Sequence, residues 1–234
     1  MAAANPTLLL PEGDGPHPGV VLGAEAYGVN EFILEVGERL VSRGCAVLVP
    51  DYYDGGGPTD REAYDDFTEV VECIGQLDFT RATGVLVEGV DQLRTTPGVD
   101  PDRIALWGYC TGSTLAWLAA CRRAVAATVL FFPSQPTFAE LGPSTPVHPI
   151  DLLWMLDSPT LIMYGDQDEV MPPDALADLR GRIERWSVPA EVRTYSGAGH
   201  AFTVPWGPLR HAEAAAAATR DAEEFLDRAL GRAG

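Results

Sequence analysis

The chain has 234 residues, enough for one sizeable core, and its 46% hydrophobic and 21% charged content is that of an ordinary globular enzyme. Its 34 acidic against 16 basic residues give a formal charge of −18, a field that repels nucleic acid and anionic membranes and excludes both as natural partners. No stretch approaches a membrane span, and Met1–Asn5 has no basic segment leading into an apolar run, so a cytoplasmic protein is expected.

Thr7–Leu10 reads as a short edge strand and Gly19–Gly23 as a buried one, with a loop over Ala24–Gly28. Asn30 is placed to cap a helix from Glu31 to about Arg43, with Ile33, Val36 and Leu40 at helical spacing and Gly44 ending it. Ala46–Pro50 is the next buried strand, 51–59 an exposed Gly/Pro/Asp loop, and Arg61–Gln76 an acidic, weakly helical stretch. Ala82, Leu86, Gly89 and Leu93 share one face of a helix over Phe79–Leu93. Arg103–Tyr109 is a strand, the helix after it runs to about Arg122, and Ala126–Phe132 is another strand. The Pro-rich stretch 133–158 lacks periodicity and is expected to form a loop or a partial lid over a pocket. Thr160–Tyr164 is a strand; Leu176, Leu179, Ile183 and Trp186 mark a helix; Ala190–Tyr195 is the last strand, and an Ala-rich helix runs from Arg210 to about Leu230. Strands alternate with helices, with no internal repeat and no dividing linker. This predicts a single α/β domain over 1–234, a mostly parallel sheet with helices on both faces and ligands bound beyond the carboxyl ends of the strands.

Four loops after strands carry chemistry. Gly108 and Gly112 flank Cys110 at the spacing of a nucleophile elbow with Cys in place of Ser. A helix beginning just after Cys110 aims free amides and a positive dipole end at the sulfur, which favours a thiolate and a developing oxyanion. The order Cys110, Asp168, His200 is the nucleophile–acid–base order of α/β-hydrolases. Each member also has a plainer reading: Cys110 as a buried structural thiol, His200 as a loop histidine, and Asp166 or Glu169 as the acid in place of Asp168. Glu25, taken alone, is an exposed loop acid. Cys45 and Cys121 sit in apolar contexts as small core residues. The four cysteines, Cys73 included, form no CxxC pair or zinc spacing, so neither a metal nor another cofactor is expected.

Over nearly its whole length the chain resembles the dienelactone hydrolases, a branch of the α/β-hydrolase fold. The matching pieces are Glu25-Ala-Tyr-Gly-Val-Asn30, Pro50-Asp-Tyr-Tyr53, Gly108-Tyr-Cys-Thr-Gly112, Gly165-Asp-Gln-Asp168 and Gly199-His-Ala-Phe202. The resemblance implies Cys110 as nucleophile, His200 as base and Asp168 as its orienting acid. It implies that Glu25 holds the thiol uncharged at rest and is displaced when substrate binds, and that the amides of Ala26 and Thr111 form the oxyanion hole. Relatives that open dienelactone grip its carboxylate with arginines. Here the position four residues after His200 is Val204, and Arg61 is a loose match for the other. Tyr27, Tyr53, Trp154, Phe202, Val204 and Trp206 are expected to line a larger, more neutral pocket.

The expected function is therefore hydrolysis of a small-molecule ester or lactone through a Cys acyl-enzyme, in a monomer or small homo-oligomer. Two alternatives stand beside it: an acyl-transferring or cyclising enzyme using the same three residues, and a non-catalytic binding protein of the same fold.

Overall fold

The apolar run Ile104–Tyr109 is buried at every position, as a strand covered on both faces must be, and it lies at the middle of the sheet. The computed structural model describes residues 6–65 and 67–232, apart from the side chain of Arg61; Met1–Asn5, on which the reading of the N-terminus rests, lie outside the described residues. Seven strands are present: β1 (Thr7–Leu9), β2 (His17–Gly23), β3 (Ala46–Val49), β4 (Val99–Tyr109), β5 (Ala127–Phe131), β6 (Thr160–Gly165) and β7 (Ala190–Tyr195). The helices are α1 (Glu31–Ser42), α2 (Thr68–Gln76), α3 (Phe79–Thr95), α4 (Thr111–Ala120), α5 (Pro173–Trp186) and α6 (Ala212–Ala229), with 3-10 turns at Arg61–Tyr64 and Pro149–Met155.

The strand order is β1-β3-β2-β4-β5-β6-β7, with β1 antiparallel to β3 and every other pairing parallel. The chain winds from β2 outward to β3, then returns to place β4 on the other side of β2. That reversal is the switch point at which open α/β sheets bind ligands. Neighbouring residues of β2 face opposite layers: a Cβ on Gly89 of α3 would meet Val21, and one on Gly37 of α1 would meet Leu22. The helices α3 and α4 thus cover one face, and α1 and α6, joined by ion pairs of Arg39 and Arg43 with Glu223, cover the other. Asn30 caps α1 as expected, its Oδ1 accepting from Ile33 N–H at 3.1 Å.

Two expectations need correction. The 51–59 loop is not wholly exposed: Tyr52 is 1% exposed because its hydroxyl donates to the carbonyls of Ala24 and Glu25. The 133–158 stretch does not roof the cavity over Cys110 described below. Its first residues line that cavity, and the remainder packs on α3 and α4, with Phe138 against Phe79 and the 3-10 turn against α4. No helix among the described residues is long and apolar enough to cross a membrane.

Candidate active site

Cys110 joins β4 to α4 at φ +49° and ψ −116°, a backbone conformation that side chains rarely adopt. The bend exists because its neighbours have no side chain. A Cβ on Gly108 would stand 2.5 Å from the Gly112 carbonyl, and one on Gly112 would overlap the backbone of Gly23 and Ala24. Ser113 ties the bend down, its hydroxyl reaching the carbonyls of Gly108 and Phe131 at 2.5 and 2.8 Å. Phe132 (φ +40°) and Ala201 (φ +54°) are also at positive φ, so strained backbone gathers along this edge of the sheet.

His200, in the loop after β7, brings Nε2 to 3.2 Å from Cys110 Sγ and Nδ1 to 3.0 and 3.2 Å from the two oxygens of Asp168. The Asp168 carboxylate is fully buried and also accepts the Val170 N–H at 2.9 Å. The competing acids are elsewhere: Asp166 accepts the Gly197 N–H at 2.7 Å as a turn residue, and Glu169 is exposed. Burial pushes the Cys110 thiol up, but His200 beside it, by charge and hydrogen bond, with help from the Ser134 hydroxyl, brings it below the usual thiol range. Burial opposes charge on His200 too, yet Cys110 and Asp168 together hold the imidazole well above its usual value. Thiolate and imidazolium stabilise one another, each holding the other's charge.

Glu25 is 1% exposed, not the exposed acid that its loop position suggests. Among the described residues its carboxylate bonds the Tyr64 hydroxyl and, at 3.3 Å, Asn30 Nδ2, and it makes no hydrogen bond to Cys110. Burial raises it to about 7 despite those bonds. The N–H groups of Ala26 and Thr111 donate to no atom among the described residues, although both residues are buried. Free, buried donors at the start of α4 and after β2 are what a developing oxyanion requires.

A cavity of about 260 Å³ opens over Cys110, His200 and Glu25. Tyr27 and Val204 line it as expected. Tyr53, Trp154, Phe202 and Trp206 do not. Trp154 is 61% exposed on its 3-10 turn. Phe202 is turned into the core against Phe132 and Tyr195 by the positive φ of Ala201. Trp206 stands edge-on behind Tyr64, and Tyr53 lies against Tyr52. Their places are taken by residues that the sequence reading missed: Tyr64, the α2 side chains Val70, Val71 and Ile74 with Phe67 before them, and Ser134 and Gln135. The signal was present, since 67, 70, 71 and 74 recur at helical spacing, but the surrounding acids concealed it. Among the described residues no three His, Cys, Asp or Glu side chains are grouped to hold a metal ion.

Residues 5–230 match the model of the "Dienelactone hydrolase family". The chain belongs to the dienelactone hydrolase family. It is 29% identical to a Yersinia pestis protein named "Putative carboxymethylenebutenolidase" over 202 residues, 86% of this chain and 74% of that one. An Escherichia coli K12 protein of the same name is 26% identical over 208 residues, 87% of this chain and 74% of that one. The crystal structure titled "Putative Dienelactone Hydrolase" from Klebsiella pneumoniae superposes with a TM-score of 0.82 at 26% identity, covering 93% of this chain and 89% of that one. An "Alpha/beta hydrolase" from Penicillium sp. sh18, 13% identical, shares the fold at a TM-score of 0.70 over 97% of this chain and 94% of its own. The fold is thus that of the α/β-hydrolases, and the protein is a hydrolase of the dienelactone hydrolase family. Within that family its cavity is marked by what lines it: no arginine appears among the described lining residues, and Val204 holds the position four after His200.

Proposed function

We propose that this dienelactone hydrolase family member cleaves a neutral ester or lactone through a thioester formed on Cys110. The observation that carries the reading is the line Cys110 Sγ–His200–Asp168, closed at 3.2 and 3.0 Å around one buried imidazole. The Cys110 thiolate attacks the substrate carbonyl carbon, and the oxyanion is met by the Ala26 and Thr111 N–H groups. The C–O bond breaks as His200 Nε2 passes its proton to the leaving oxygen. His200 then takes a proton from water, whose oxygen attacks the thioester; the acid leaves and the thiolate returns. Asp168 fixes the ring and stabilises its charge throughout.

The substrate preference rests on charge. An anionic lactone would enter a cavity whose ionisable lining is Glu25, Cys110, His200 and tyrosines, with no described arginine to grip its carboxylate. A product-resolved panel of neutral and anionic lactones, esters and thioesters tests this. Neutral lactones or esters should exceed the anionic dienelactone by at least about ten-fold in kcat/KM. A preference for the anionic dienelactone overturns the neutral-substrate reading.

A further inference from the structure

The cavity over Cys110 opens onto an apolar rim that the acyl chemistry above does not use. Phe67, Val71, Val170 and Leu209 line the cavity, yet these large apolar side chains are between 38% and 65% exposed. They come from three separate segments: the start of α2, the loop after β6 and the loop between β7 and α6. Single exposed apolar side chains are ordinary. Four that converge on one opening form a patch, and such patches mark surfaces that a ligand or a partner covers. α2 shows the same want of cover: Val70 is its single buried residue, while Val71 stays exposed and Ile74 half-buried at the same opening.

What covers the rim follows from what it joins and what surrounds it. The same four side chains line the cavity that holds Cys110 and His200, so the rim is continuous with the reacting centre. That cavity, about 260 Å³, is smaller than the roughly 300–1,000 Å³ that encloses a drug-sized ligand, so a substrate of that size extends past it. The exposed acids Glu69, Glu72 and Glu169 adjoin Val70, Val71 and Val170 in the chain, whose charge is −18. A second copy would bring the same acids and the same charge against them, and an anionic lipid surface is repelled in the same way. A neutral apolar group belonging to the substrate meets neither obstacle.

Resting on the ester or lactone reading above, we propose that Phe67, Val71, Val170 and Leu209 form an outer subsite for an extended, uncharged apolar arm of the substrate. The substrate class is then a neutral ester or lactone whose apolar arm is longer than the cavity encloses, so that the arm covers the exposed side chains of the rim. The test uses the full-length enzyme with p-nitrophenyl butanoate, hexanoate, octanoate and decanoate, each below its aggregation concentration. A half-covered methylene gains about two-fold, so kcat/KM should rise by about ten-fold or more from hexanoate to decanoate. Phe67→Ser combined with Leu209→Ser should cut that rise to within about three-fold. Trp154→Ser removes a comparably exposed side chain away from the cavity and should keep the rise. A second readout needs no turnover: displacement of the neutral probe N-phenyl-1-naphthylamine by hexan-1-ol and decan-1-ol. Decan-1-ol should compete about ten-fold more strongly in the wild type and within about three-fold in the double variant. Since both replaced side chains are half exposed, the double variant should melt within about 3 °C of the wild type. The proposal is overturned by a flat series of turned-over esters, by an unchanged rise in the double variant, or by an equal loss of the rise in Trp154→Ser. It is also overturned by a wild-type dimer that the double variant converts to monomer in sedimentation, which would assign the rim to a second copy. If no ester is turned over, or if Cys110→Ala matches the wild-type rate, the thioester reading falls and the alcohol competition still decides the outer subsite.

Discussion

Glu25 is a buried carboxyl group beside a thiol and an imidazole, and its charge, when present, works against the thiolate. Below about pH 7 it is neutral and leaves the thiolate–imidazolium pair undisturbed; above, its charge opposes the thiolate. The rate of Cys110 alkylation by iodoacetamide should therefore show an inflection near pH 7 in the wild type. Glu25→Gln should lose it and react several-fold faster above that pH. The stability sign follows from the same shift. Folding raises this carboxyl from 4.5 to about 7, so its contribution is full below pH 4.5 and is lost as pH rises toward 7, by on the order of 3 kcal/mol. The melting temperature of Glu25→Gln relative to the wild type should accordingly rise between pH 5 and pH 8. Much at this scale is legible in the sequence. Cys110, Asp168 and His200 each occupy a Gly-rich turn after a strand, where backbone geometry leaves few other reasons for such residues. Tyr64 is not legible, because it meets Glu25 from 39 positions away, out of a short 3-10 turn in an acidic stretch.

The element that shapes the cavity is α2. Its acids Glu69 and Glu72 face solvent, while Val70, Val71 and Ile74 line the cavity. Val71 is 65% exposed, so Val71→Asp should change stability by less than about 0.5 kcal/mol. It should nevertheless raise KM for apolar esters several-fold while kcat changes little, which steady-state kinetics on an ester series would check. The elbow behaves oppositely. Gly112→Ala sets a Cβ against the backbone of Ala24 and Gly23, which cannot move without shifting β2, and should destabilise by about 2–3 kcal/mol in thermal unfolding. Element positions are recoverable from periodicity because apolar faces must be buried. The role of 133–158 is not, since proline-rich chain without periodicity looks the same whether it roofs a cavity or packs along α3 and α4.

At the scale of the whole molecule, a charge of −18 surrounds a cavity with no arginine among its described lining residues. The field disfavours anionic substrates during approach and again at the site. Raising ionic strength from 20 to 200 mM should therefore increase kcat/KM for an anionic lactone and leave that for a neutral one unchanged within about two-fold. The fold itself is the most legible layer: alternating buried strands and amphipathic helices leave few arrangements other than a doubly wound sheet, and the switch point between β2 and β4 brings Glu25 and Cys110 to one edge.

Every step of the proposed reaction passes through a covalent thioester on Cys110. Rapid-quench mass spectrometry of the enzyme mixed with p-nitrophenyl hexanoate tests it directly. A hexanoyl adduct should map to Cys110 within the first turnover, with neither adduct nor turnover in Cys110→Ala. Hydrolysis by Cys110→Ala at the wild-type rate, or an adduct on another residue, would contradict it.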